Sequence, residues 1–99
     1  MAIEAYENLQ IVRGTVAADG TRTAGYAFKV TKLSAGKYII TFNNDFRETP
    51  SVVATLDGEN WNLLDNTHVS GATTERVMVI TGNSVGAAAD RPFHFIAMG

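Results

Sequence analysis

The sequence predicts an all-β domain, a small antiparallel β-sandwich of about six to seven strands. Three observations lead there. Apolar and polar residues alternate with period two along several short runs. Gly, Asp and Asn turn signals separate those runs at intervals of about 10 to 14 residues. No window sustains a helical period, so a βαβ layout is disfavoured.

The first strand is read from Leu9 to Val16, rich in β-branched residues and closed by Asp19-Gly20. A second is read over Gly25 to Thr31, with Tyr26, Phe28 and Val30 on one side. Ser34-Ala35-Gly36 breaks the chain, and Lys37 to Phe42 resumes it with Tyr38, Ile40 and Phe42 in phase, which makes a hairpin. After Asn43-Asn44-Asp45, Pro50 opens Ser51 to Leu56; proline fits a strand start, where a missing donor costs little. Asn62 to Val69 reads as a bulged strand or an ordered loop. Glu75 to Thr81 and Pro92 to Met98 are strands, joined by a Gly- and Ala-rich loop from Gly82 to Asp90.

The 99 residues allow one core, so residues 9–99 are read as a single domain preceded by a segment, residues 1–8, that could pack at an oligomer interface. An apolar fraction of 45% with 18% charged residues suits a folded chain rather than a self-repelling one. The net charge of −2 and the scattered Lys and Arg residues argue against nucleic acid as a partner. There is no cysteine, which removes disulfides, thiolate zinc sites and cysteine nucleophiles. Met1 to Asn8 lacks signal-peptide character and no run reaches membrane-spanning length, so cytosolic synthesis without membrane insertion is expected.

The alternation fails in a recurring way. Ile39, Val53, Met78, Ile80, Ile96 and Met98 fall on the side of their strands opposite the core residues, where polar groups are expected. Part of one sheet therefore has a second apolar face. Covering one large aliphatic side chain contributes roughly 1.5 to 3 kcal/mol, so about four or five per protomer offset the entropy of association. A homo-oligomer follows; the alternative is cover by loops or by Ile3 to Tyr6.

Catalytic motifs are absent from the sequence: no Gly-x-Ser-x-Gly elbow, no Walker loop, no His-Glu-x-x-His pair. The histidines are His68 and His94, and His94 alternates with Phe93 and Phe95, which puts it on the face opposite those rings. No enzymatic activity and no cofactor are expected. Asp57, Glu59 and Asp65 match no calcium loop and read as turn and surface groups.

Two polar clusters are candidate ligand sites. Trp61, the one tryptophan, stands among Asn60, Asn62 and Asp65, and a large ring beside planar amides and carboxylates suits a sugar, whose apolar face stacks while its hydroxyls take bidentate partners. The competing reading is a ring packed over the sandwich end. The second cluster is Asn83, Asp90 and Arg91 with Ser84, among small residues that let a ligand approach the backbone. Its alternative is a plain exposed loop.

Gly14-Thr15-Val16, Gly25-Tyr26-Ala27-Phe28, Gly36-Lys37-Tyr38-Ile39-Ile40-Thr41-Phe42, Pro50-Ser51-Val52 and the closing Phe93 to Gly99 form an ordered series. In that order the chain resembles the C-terminal modules of phage and prophage tail fibres. It is also similar to the H-type lectins, trimeric six-stranded sandwiches that bind sugars near their protomer interfaces. The resemblance spans Leu9 to Gly99 and implies a lectin-like homotrimer that recognises a cell-surface glycan, on a virion tail fibre or as a released lectin, or else a ligand-free fibre knob. The shared positions are turn glycines and core aromatics, which report fold. The Gly82-Asn83-Ser84 region has no aromatic residue to match the Trp-His pair of the snail lectins, so no lectin contact residue is carried over.

Overall fold

The computed structural model describes residues 9–59 and 61–99. The segment 1–8 and Asn60 lie outside the described residues. The described chain forms eight strands: β1 (Ile11–Val16), β2 (Arg22–Gly25), β3 (Phe28–Ser34), β4 (Lys37–Phe42), β5 (Ser51–Leu56), β6 (Asn66–Ser70), β7 (Arg76–Gly82) and β8 (Phe93–Met98). They make two four-stranded antiparallel sheets, ordered β2-β1-β8-β5 and β3-β4-β7-β6. Among the described residues no helix is long and apolar enough to cross a membrane.

Alternation fills the space between the sheets. Val16, Phe93, Phe95 and Ala97 from the first sheet meet Phe28, Tyr38, Ile40, Phe42, Val77 and Val79 from the second, and all are buried. The aromatic rings meet edge to face, Phe28 on Phe95 at 4.9 Å and Tyr38 on Phe93 at 5.1 Å between centroids, the arrangement their quadrupoles favour. Gly14 faces inward at the centre of β1, and a Cβ there would overlap the Phe28 ring. A glycine in one sheet thus makes room for a phenylalanine from the other.

The strand count is eight rather than six or seven, and the discrepancy arises at one place. Gly25 to Thr31 is not a single strand. Gly25, at φ +85°, ends β2 in the first sheet, Ala27 turns the chain at φ +73°, and Phe28 opens β3 in the second sheet. Tyr26 therefore does not share the face of Phe28 and Val30, and it is 81% exposed. β2 itself is short and polar, Arg-Thr-Ala-Gly, and carries no apolar alternation to reveal it. The weak 62–69 region resolves into a loop followed by β6, so Leu63 and Leu64 belong to the loop.

One core residue comes from a connection. Phe46, between β4 and β5, is buried and packs edge to face on Phe42 at 4.8 Å. Its backbone N–H donates to the Thr74 carbonyl at 2.8 Å, which ties the loop to the approach to β7.

Candidate functional site

Trp61, Asp65 and Arg91 converge at one end of the sandwich. The pairing of β6 with β7 sets Asn66 opposite Gly82, so the chain entering β6 lies beside the chain leaving β7. Arg91 then reaches across: its guanidinium sits 4.4 Å from the Trp61 ring centre and its Nε donates to Asp65 Oδ2 at 3.1 Å. Its Nη1 donates to the Asp90 carbonyl at 2.8 Å. The Trp61 Nε1–H donates to the Asp57 carbonyl at 2.8 Å, which anchors the ring by its edge. A cation stacked on an indole while hydrogen-bonded to a carboxylate is stabilised by both contacts at once. Arg91, from the second polar cluster of the sequence, thus joins Trp61 and Asp65 of the first.

The other candidate ligand groups are turned to the backbone. Asn62 Oδ1 accepts from the Leu64 N–H at 2.8 Å, and Asn83 Oδ1 accepts from the N–H groups of Val85 and Ala87, each at 3.1 Å. Both are side chains that close their own turns. Asp90 Oδ1 accepts from the Gly36 N–H at 2.8 Å and lies 3.1 Å from Lys32 Nζ, which pins the β3–β4 turn to the loop after β7. The Gly36 hydrogen bond first, and then Lys32, hold the Asp90 carboxyl below the usual carboxylate range. Asn60 is outside the described residues.

The same end carries apolar side chains that sequence reasoning passed over as ligand-facing groups. Leu63, Leu64 and Val85 stand almost fully in water on the loops flanking Trp61 and Arg91. The signal for them is present in the sequence: large aliphatic residues among Asn, Asp and Gly, at positions no strand accounts for.

Two other arrangements bear on chemistry. His94 stands on the outer face of β8, opposite the core rings, with Nδ1 at 2.7 Å from Thr15 Oγ1 and Nε2 at 3.2 Å from Asp57 Oδ1. A hydroxyl, an imidazole and a carboxylate in series have the order of a nucleophilic triad. The setting differs from one: β8 is flanked by β1 and β5, so its backbone N–H groups are engaged in ladders and offer no oxyanion donors on that face. Asp57 and Asp65, read together in the sequence, take separate partners, and among the described residues no three acidic or histidine groups gather as a metal site requires.

The candidate interface residues fall on two faces, not on one. Val53, Ile96 and Met98 lie on the outer face of the first sheet, where Val53 stands opposite Ile96 and Ile96 opposite Arg13. Ile11, opposite Met98, extends this patch, and Leu9 lies two residues before it. All five apolar side chains are exposed by 39 to 64%. Ile39, Met78 and Ile80 lie on the outer face of the second sheet, with Ile39 opposite Met78, and are half-buried. The sequence shows which side of a strand is apolar; only strand pairing assigns the strand to a sheet.

Comparison with known families, with curated proteins and with solved structures finds no match.

Proposed function

We propose that this domain is a non-enzymatic binding module that acts as a homo-oligomer. It associates through the outer face of the first sheet and engages its ligand at the loop end around Trp61 and Arg91. The observation that carries the reading is the contiguous exposed patch of Ile11, Val53, Ile96 and Met98. Large apolar side chains clustered on a regular ladder of paired strands favour a partner with the same geometry, and a second copy of the chain supplies it. A trimer that presents a glycan-binding end, on a phage tail fibre or as a free lectin, is the form the family resemblance suggests. At the loop end, an indole edge, a charged guanidinium and exposed aliphatic groups offer apolar and polar contact side by side, as ligand sites do.

Size-exclusion chromatography with light scattering tests the association, and a glycan array tests the ligand. The reading expects a discrete oligomer and at least one glycan whose binding is lost in Trp61→Ala. A monomer at about 100 μM, a concentration at which a standard-sized interface is largely formed, argues against it. So does a silent array.

A second reading is a fibre knob that sets register and has no ligand. It is favoured by one specific observation: Asn62, Asn83 and Asp90 direct their side-chain oxygens to the protein's own backbone. It expects the oligomer to persist while Trp61→Ala changes no interaction.

A further inference from the structure

A second cleft lies along the side of the sandwich where the chain crosses from β2 to β3, and at Gly20 it reaches Lys32, the partner of Asp90. A cleft of about 410 Å³ is lined there by Gly20, Arg22, Phe28, Lys29, Val30 and Asn43. Its position follows from topology, because β2 and β3 are edge strands of different sheets joined by Tyr26 and Ala27 alone. The sheets leave an open seam, and the cleft occupies it.

The donors along this seam lack acidic partners. Arg22 lies over the Phe28 ring at 5.6 Å and donates one long hydrogen bond, 3.3 Å, from Nη1 to the Phe28 carbonyl. Among the described residues neither Arg22 nor Lys29 forms an ion pair, while Lys32 and Arg91, also among the eight Lys and Arg residues of the chain, do. Asn43 uses its backbone N–H to hold the Ala27 carbonyl at 2.9 Å, and its side-chain amide has no partner among the described residues. The carboxylates nearest in sequence, Asp19 and Asp45, are not part of the lining. Asp19 is turned to the Thr21 N–H, which its Oδ1 accepts at 2.9 Å.

Backbone strain is concentrated at the same place. Ala27 is the non-glycine residue at positive φ among the described residues, a conformation that costs an L-residue free energy and survives where the surroundings enforce it. It sets Phe28, and with it the floor of the cleft, beneath the Arg22 guanidinium.

We propose that this cleft binds a small organic carboxylate, up to an acidic monosaccharide in size. The guanidinium presents a planar fork whose free Nε and Nη2 donors match a carboxylate two to two. Lys29, on the face of β3 opposite Phe28 but part of the lining, adds a second positive charge and Asn43 an amide for a hydroxyl. The volume is at the lower end of small-molecule sites and suits one sugar ring. A neutral ligand of the same shape leaves both cations without a counter-charge and binds less tightly.

The experiment is a ¹⁵N-resolved NMR titration of the full chain with sodium glucuronate, and with glucose as the uncharged counterpart. Glucuronate is expected to shift the amide signals of Gly20, Arg22, Lys29 and Asn43, with glucose leaving them in place. Arg22→Gln removes the charge and the planar fork and should weaken glucuronate binding about tenfold or more, as loss of a charged bidentate contact does. Lys29→Gln, at an exposed position, should weaken it by less and reduce its sensitivity to salt. Trp61→Ala should leave it unchanged, which separates this site from the loop-end site. The proposal is overturned if glucuronate moves none of these four signals, if glucose moves them equally, or if Arg22→Gln and Lys29→Gln both bind as the wild type does.

Discussion

The Arg91 guanidinium is stacked on Trp61 at 4.4 Å and paired through Nε with Asp65, whose side chain is only 4% exposed. Arg91→Ala should therefore do more than remove a surface charge. It leaves a nearly buried carboxylate without its cation, and a loss of about 2 to 4 kcal/mol is expected in urea unfolding. Arg91→Lys should restore only part, since an ammonium neither stacks nor forks as a guanidinium does. Trp61 emission is the direct readout, and it should shift to longer wavelength in Arg91→Ala as water replaces the guanidinium.

Tyr38 is buried, and its hydroxyl donates to the Ala18 carbonyl at 2.6 Å. Tyr38→Phe should cost about 1 to 2 kcal/mol, because that carbonyl loses its partner. Burial first, and the Asp90 charge second, push the Tyr38 hydroxyl above its ordinary value. The unfolded chain then releases this proton near pH 10 while the native chain still holds it. The stability contributed is complete below about pH 10 and is lost as pH rises toward the native value. The gap between wild type and Tyr38→Phe should narrow across that interval, measured by denaturant midpoints at each pH.

Asp90 works in the opposite direction. Its carboxyl is held low by the Gly36 N–H and by Lys32, so its contribution is present above about pH 4 and disappears as pH falls through the native value. The side chain is 41% exposed, and solvent screening limits the effect of Asp90→Ala to about 0.5 to 1 kcal/mol at neutral pH. Thermal melts at neutral and acid pH should show the difference shrinking with acidification.

Gly25 allows the crossover between the sheets. It has φ +85°, and a Cβ there would overlap the Arg13 carbonyl oxygen. Gly25→Ala combines an unfavourable backbone with a clash against backbone that cannot move aside, and should lose at least about 2 kcal/mol. Circular dichroism melts would register it.

Ile96 is 42% exposed and Met98 43% exposed, so within one chain neither is a core residue. Ile96→Glu or Met98→Lys should leave the fold intact, with a direct effect on the stability of the single chain within about 0.5 kcal/mol. If this face joins copies of the chain, the same variants should be monomeric by light scattering, because the partner would have to bury the new charge.

Strand patterning was most legible where alternation and punctuation agree. β4 and β5 begin and end as the sequence indicates, because Gly36 and Pro50 mark their starts and their apolar residues keep phase. Tyr26 is in phase with Phe28 in the sequence but not in the fold, since a left-handed residue at Ala27 reverses the sense of the alternation and nothing in a Tyr-Ala-Phe run announces it. Phe46 was hidden by its polar neighbours, Asn44, Asp45, Arg47 and Glu48, which read as loop. Trp61 and Arg91 were each visible as candidates. Their contact depends on the register of β6 against β7, a relation between distant segments that no local window contains.

The last strand in sequence is a central strand in space: β8 lies between β1 and β5 and supplies Phe93, Phe95 and Ala97 to the core. Until Phe93 to Met98 have been synthesised, the first sheet exists only as the β1–β2 pair and a separate β5. Folding therefore waits for the distal end of this region to emerge from the ribosome, and the joining of β1 to β8 closes almost the whole chain in one loop, a slow step for any polypeptide. A translation product that stops at Arg91 does not lack a border; it has a sheet parted down the middle, with hydrophobic edges open to every other chain nearby.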